Sequence, residues 1–172
     1  ERKYNKEFIY KPESNKIKIR HIFQHLYDRD KYGEPKTGDK VDPKEKIKKD
    51  VVTQQEGLTG TSMKVQPLQG EDIKGYEPEV NAITTQVPEN VADFELIFRY
   101  NRKKYILKYD TQDGTPIPSR TIYYEQTIPR LELVEVPTKR GCEFQGWKPS
   151  VNLEDRSGKT YLKDNIIKDS KG

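Results

Sequence analysis

A single cysteine, Cys142, excludes an intrachain disulfide and a cysteine-built zinc framework. Small secreted domains commonly lean on disulfides, so the chain is either cytosolic or belongs to a secretory system that does without them. No apolar run reaches membrane length. The chain begins and ends in polar sequence and reads as an excerpt of something longer. Hydrophobic residues are scarce, 31% against 35% charged, so any core is thin. Within 172 residues that balance suits two small modules with large wet surfaces. Methionine and tryptophan occur once each and phenylalanine five times, yet there are 11 tyrosines. Rings of that kind suit a half-buried pleated face, which points to strands.

Concentrated positive charge is also lacking. The net charge is +4, but residues 1–101 hold 18 basic and 18 acidic side chains, and residues 102–172 hold 14 and 10. Nucleic-acid binding needs basic residues clustered on one face, and here acids are interspersed throughout. The densest basic run, Arg99, Arg102, Lys103 and Lys104, reads as a solvated strand end or linker.

The common catalytic and metal constellations are missing too. A nucleophilic Cys142 needs an activating base, and both histidines lie far away in the first half. A thioester between Cys142 and Gln145 would need more of its pattern than these two residues. His21 and His25 have H-x-x-x-H spacing, but Ile22 stands where a metalloprotease needs glutamate, and the segment reads as a strand. They are read as structural or surface histidines. Asp28, Asp30 and Gly33, and Asp110 with Asp113, imitate the start of calcium loops whose other ligands are absent, so both read as hairpin turns. A lysine–asparagine isopeptide bond depends on joint burial, which composition does not identify. No catalytic residue, metal or cofactor is expected.

What is present is alternation. IKIRHIF sets Ile17, Ile19, His21 and Phe23 against Lys18 and Arg20. ADFELIFRY sets Phe94, Leu96, Phe98 and Tyr100 against Glu95 and Arg99, and KYILKYD sets Tyr105, Leu107 and Tyr109 against Lys108. DRDKYGEP (28–35) and DTQDGTPIP (110–118) mark turns. Asp42-Pro43-Lys44-Glu45 is the one good helix start, with Asp42 as cap, and gives either a short helix through Lys49 or a charged loop. VVTQQ from Val51 follows as a strand.

The chain also repeats itself. EFIYK (Glu7 to Lys11) matches ELIFR (Glu95 to Arg99) at an offset of 88 residues, and Lys16, Ile17, Ile19 and Arg20 continue the match onto Lys104, Tyr105, Leu107 and Lys108. Residues 1–15 then read as the closing strand of a preceding module plus a linker, followed by modules at 16–101 and 102–172. Repeats of this size predict an elongated string of beads.

The edges of these modules carry two resemblances. Residues 102–170 resemble the Listeria–Bacteroides repeat, through YILKYD, DGTP, TIYYEQ, IPRLELVEVP and GCEFQGW. Cys142 stands where that family usually has an aromatic. It is therefore expected to be a small buried hydrophobe. Gly141 and Gly146 would permit a kink that turns Phe144 and Trp147 into the core, Trp147 against Phe144 or the YILKY strand. Residues 16–101 are similar to the MucBP family, through IKIRHIFQ, GLTGTSMKVQPLQ, the Ile73-x-Gly75-Tyr76 step and FELIFRY. The resemblances imply a mainly β, β-grasp (ubiquitin-like) fold. They imply a non-enzymatic adhesin module pair of a Gram-positive surface protein, extracellular and wall-anchored through its parent chain. The implied partners are host mucin-type glycan or another extracellular host ligand, and neighbouring repeats of the same chain. Neither nucleic acid nor membrane insertion is expected. The alternatives are a spacer stalk and an accessory region of a large secreted enzyme. A sugar site would use aromatic faces and bidentate polar groups. Tyr123, beside Tyr124 and near Arg120, is the first candidate, and Tyr32 the second. EFIY is expected to pair with an open sheet edge, in its own chain or in a neighbour's second module, the alternative being a free tail that extends the first strand, and nothing after Trp147 resembles FELIFRY.

Overall fold

The alternation around Ile17 produces a ten-residue strand, β1 (Ser14–Phe23), in the computed structural model, which describes residues 6–131, 134–155 and 157–168. These residues are mainly β and contain no α-helix. Contacts divide the chain into two units, with the division between Arg102 and Lys103.

The first unit is built on a four-stranded sheet. β1 pairs antiparallel with β2 (Val51–Leu58) and parallel with β6 (Glu95–Arg102), and β6 pairs antiparallel with β4 (Tyr76–Pro78). The order is β2-β1-β6-β4, with the two ends of the unit side by side at its centre. A separate antiparallel pair joins β3 (Ser62–Val65) to β5 (Ile83–Gln86). A 3-10 turn, Gly70–Ile73, lies between β3 and β4.

One sheet face is the core. Ile17, Ile19, His21 and Phe23 of β1 are buried with Leu96, Phe98 and Tyr100 of β6 and Tyr76 of β4, β3 contributes Met63 and Val65, and the residue after β5 is Val87, also buried. Parallel register sets Phe23 beside Tyr100 (ring centroids 4.9 Å, stacked) and His21 beside Phe98 (5.5 Å, stacked). Phe23 meets Tyr76 edge-on at 5.0 Å. The opposite face is charged: Lys18 and Arg20 reach Glu95 at 2.9 and 3.1 Å.

Three expectations are corrected here. The segment after Asp42 is a turn and not a helix. Lys44 N–H donates to the Asp42 carboxylate and Glu45 N–H to the Asp42 carbonyl, and the chain then extends. Glu45 is taken by tertiary partners, as its carboxylate accepts from Leu26 N–H beside His25. Arg102 is not a solvated strand end. It is the inward residue after Tyr100 and is buried, its Nε donating to the Gln24 carbonyl (3.0 Å) and an Nη to the Lys46 carbonyl (2.6 Å). Cys142 is exposed, because the 139–142 turn, closed by Cys142 N–H to Lys139 C=O (3.0 Å), carries it outward. Lys6–Lys11 form no ladder with any described strand.

The second unit has shorter pieces. β7 (Lys104–Leu107) and β8 (Arg120–Tyr123) are antiparallel, as are β9 (Leu153–Glu154) and β10 (Thr160–Tyr161). Its core holds Ile128, Leu131, Trp147 and Tyr161, with Leu107, Tyr109, Ile122 and Phe144 packed against it. Trp147 meets Phe144 and Tyr109 edge-on at 5.3 and 5.4 Å and exchanges two backbone hydrogen bonds of 2.8 Å with Ile167. Gly146 makes that approach possible. Its φ is +129°, and a Cβ there would sit 2.4 Å from the Ile167 carbonyl oxygen. Gly146→Ala therefore has to break the Trp147–Ile167 bridge or strain the backbone, at a cost above about 1 kcal/mol. The emission of the single tryptophan reads this directly. It should be that of a buried indole in the parent chain and shift red at lower denaturant in the variant.

Candidate functional site

The hairpin after β1 is closed by its own backbone. His25 N–H donates to Lys31 C=O (2.9 Å), Gly33 N–H to Phe23 C=O (2.9 Å) and Lys31 N–H to Asp28 C=O (3.1 Å). Gly33, at φ +82°, permits the return past Asp50. This places Tyr32 as a bridge partner of Gln24, with its phenol against the end of the sheet. The hydroxyl lies 2.9 Å from Glu79 Oε1 and 2.6 Å from Asn101 Oδ1, and its proton is shared between them. The Arg99 guanidinium lies 5.9 Å from the ring centroid. Burial, then the Glu79 carboxylate, push the phenol pKa up to about 12. The result is a half-buried ring beside a carboxylate, an amide and an exposed guanidinium. Glu79, Arg99 and Asn101 are far from Tyr32 in sequence, and only β6 alternation, which points both Arg99 and Asn101 away from the core, hinted at them.

The other candidate pair does not converge. Arg120 and Tyr123 are three residues apart on β8, so alternation puts them on opposite faces of that strand. Arg120 pairs with Leu107 and Tyr123 with Lys104. Tyr123 and Tyr124 are both half-buried, so neither is the fully outward ring that adjacency suggested. Tyr32 and Tyr123 belong to different units. An open cleft of about 440 Å³ lies elsewhere in the first unit, between Tyr10, Lys11, Pro12 and Glu13 of the leading segment and Thr59 and Glu89.

Comparison with protein-family models, with curated proteins and with solved structures finds no match. The site must therefore be read from its own chemistry.

Both histidines have protein partners. His21 Nδ1 is 2.8 Å from the Tyr100 hydroxyl and Nε2 is 3.0 Å from Thr53 Oγ1, while Leu68 N–H donates to the same Tyr100 oxygen (2.8 Å). A neutral imidazole fits this chain, accepting at one nitrogen and donating at the other. Burial lowers the His21 pKa accordingly. His25 Nε2 donates to the Gly33 carbonyl at 2.7 Å. The motif glycine Gly75 has φ +79° and is buried beside buried Tyr76, and Gly141 has φ +73° in the exposed turn. The second unit hides a carboxylate that sequence reading missed. Asp155 is fully buried: Oδ1 accepts from Ser157 N–H (2.8 Å), Ser157 Oγ (2.6 Å) and Lys159 N–H (3.1 Å), and Oδ2 from the Tyr161 hydroxyl (2.8 Å). Ser157 and Tyr161 thereby hold its pKa well below the usual carboxylate range. The Asp-x-Ser-Gly run was the available signal, since aspartate there can fold a turn onto its own side chain.

No group of three or more histidine, cysteine, aspartate or glutamate residues that could hold a metal occurs among the described residues. No helix there is long and apolar enough to cross a membrane. The two aspartate loops spend their oxygens locally, Asp28 on Asp30 N–H (3.3 Å) and Asp110 on Gln112 N–H (3.0 Å). A chelator should accordingly leave the melting temperature unchanged, and a fall of many degrees would reveal a bound ion.

The two shifted groups predict separate acid limbs. His21 returns to 6.5 on unfolding, so its contribution is complete above that pH and is lost progressively as the pH falls below it. Asp155 returns to 3.8, so its contribution is lost only as the pH falls below that value. His21→Gln should flatten the first limb of the melting profile and leave the second. Asp155→Asn should do the reverse, with Trp147 emission reporting the second unit.

Proposed function

We propose that the chain is a non-enzymatic adhesive module pair of a Gram-positive, wall-anchored surface protein, and that its first unit holds a host glycan at Tyr32. In this reading both units are β-grasp modules acting outside the cell. The order β2-β1-β6-β4, with first and last strands parallel at the centre, suits that fold for the first unit. The resemblances to MucBP and Listeria–Bacteroides repeats supply the rest of the context.

One observation carries the ligand class: Tyr32, Glu79, Arg99 and Asn101 meet at one end of the sheet. A sugar offers C–H faces to rings and pairs of hydroxyls to planar polar groups. Asn101 keeps an amide donor and Arg99 a fork of donors for such hydroxyls. The phenol, already held by Glu79 and Asn101, orders the site and leaves the ring and the guanidinium as contacts.

Titration calorimetry with mucin O-glycans, after a glycan array has chosen the epitope, tests this. Arg99→Ala and Tyr32→Ala should each weaken binding at least about tenfold, roughly 1.4 kcal/mol. Arg120→Ala, on β8 of the other unit, should leave it unchanged. Absence of binding by the parent chain would make the pair a spacer, a reading in keeping with the internal satisfaction of the Tyr32 hydroxyl.

A further inference from the structure

We propose that the Glu7–Lys11 segment of one copy of this chain closes the sheet of the second unit in another copy, pairing parallel to β7. The proposal is independent of what the first unit binds.

The donor segment is apolar, bare and strand-like. Phe8, Ile9 and Tyr10 are 75%, 91% and 86% exposed, and alternate-side aromatics flank a β-branched residue. Three such residues in a row are an unusual thing to leave in water. Their sequence is that of β6: Glu7, Phe8, Ile9, Tyr10 and Lys11 correspond to Glu95, Leu96, Ile97, Phe98 and Arg99. In the first unit those β6 residues bury Leu96 and Phe98 beside β1.

The acceptor is the edge of β7 that faces away from β8. β7 corresponds to β1 through the same offset of 88 residues, Ile17 to Tyr105 and Ile19 to Leu107. β1 is flanked by β2 and β6, whereas among the described residues β7 is paired with β8 alone. The backbone phase agrees. Tyr124 N–H donates to Lys103 C=O (2.9 Å), which makes Tyr105 and Leu107 the residues bonded to β8 and turns the backbone groups of Lys104 and Ile106 outward. Likewise Thr59 N–H donates to Glu13 C=O (2.9 Å), so that Lys18 and Arg20 of β1, the counterparts of Ile106 and Lys108, turn their backbone groups toward β6.

The correspondence fixes a register. β1 sets Lys18, Ile19, Arg20 and His21 beside Glu95, Leu96, Ile97 and Phe98. Transferred, it sets Ile106 beside Glu7, Leu107 beside Phe8, Lys108 beside Ile9 and Tyr109 beside Tyr10. Phe8 and Tyr10 then land on the side of Leu107 and Tyr109, which already pack against the Trp147 core, while Ile9 faces out near Ile106. Such addition of a strand to an exposed edge takes its affinity from main-chain hydrogen bonds and its specificity from alternate side chains. Donor and acceptor are different surfaces, so the contact is head-to-tail and builds open chains or rings.

Disulfide trapping in a Cys142→Ser background tests the register. One chain carries Ile9→Cys and the other Lys108→Cys, both at exposed positions that leave each core intact. Strand neighbours are about 4.8 Å apart, within the Cα separation that a disulfide spans. Mixing the two under mild oxidation should give a cross-linked heterodimer, and replacing Lys108→Cys by Lys159→Cys should reduce its yield at least tenfold. In sedimentation equilibrium the mass of the parent chain should rise with concentration, and Phe8→Asp or Tyr10→Asp should abolish the rise while Ile9→Asp weakens it less. Equal trapping at both positions, or a parent chain that stays monomeric and untrapped at high concentration, would overturn the proposal.

Discussion

The parallel pairing of β1 with β6 is the constraint on which the first unit depends. It joins Ile19 to Leu96 and Phe23 to Tyr100, the two ends of the unit, and everything between them is a loop that this pairing closes. Closing such a loop costs entropy before any contact repays it, so the pairing needs a strong local reward. The reward is aromatic. His21, Phe23, Tyr76, Phe98 and Tyr100 form one contiguous set of stacked, tilted and edge-on rings across three strands. Lys48 and Arg102 add their cations over Phe23 (4.5 Å) and Tyr76 (5.1 Å). Contacts so distant in sequence place the unit among slow-folding topologies.

The faces of the long strands were legible because their period is 2 and one side must be dry. Ile17, Ile19, His21, Phe23, Leu96, Phe98 and Tyr100 are all buried, as the alternation requires. The Asp42 helix failed for a tertiary reason. Its glutamate serves Leu26 N–H and sits beside His25, and no local propensity competes with a buried carboxylate that has found its donor. Arg102 failed in the opposite direction. Alternation puts it inward after Tyr100, but its charge suggested solvent, and the acceptors that permit its burial are backbone carbonyls, which a sequence does not display. Cys142 was judged by the aromatic usual at its position, whereas the conformation of its turn decides its exposure.

The candidate site was half legible. Tyr32 stands out as an aromatic in a turn, yet its partners come from β6 and the segment after β4 and are assembled only by the fold. Arg120 and Tyr123 were linked by nearness in sequence. On a strand an odd separation means opposite faces, so the same rule that read β1 correctly separates this pair.

With so few apolar residues, both units depend on a few buried polar groups that hold each other through hydrogen bonds. Tyr100 links His21 to Leu68, Arg102 links Gln24 to Lys46, and Asp155 gathers Ser157, Lys159 and Tyr161. A satisfied network adds modestly to stability, but removing one member strands the others without water, so its deletion costs more than its formation gains. That asymmetry makes the networks specify the fold more than they strengthen it. The alternatives to the native register leave a histidine, an arginine or a carboxylate buried without its partner, and in cores this thin such an error is decisive.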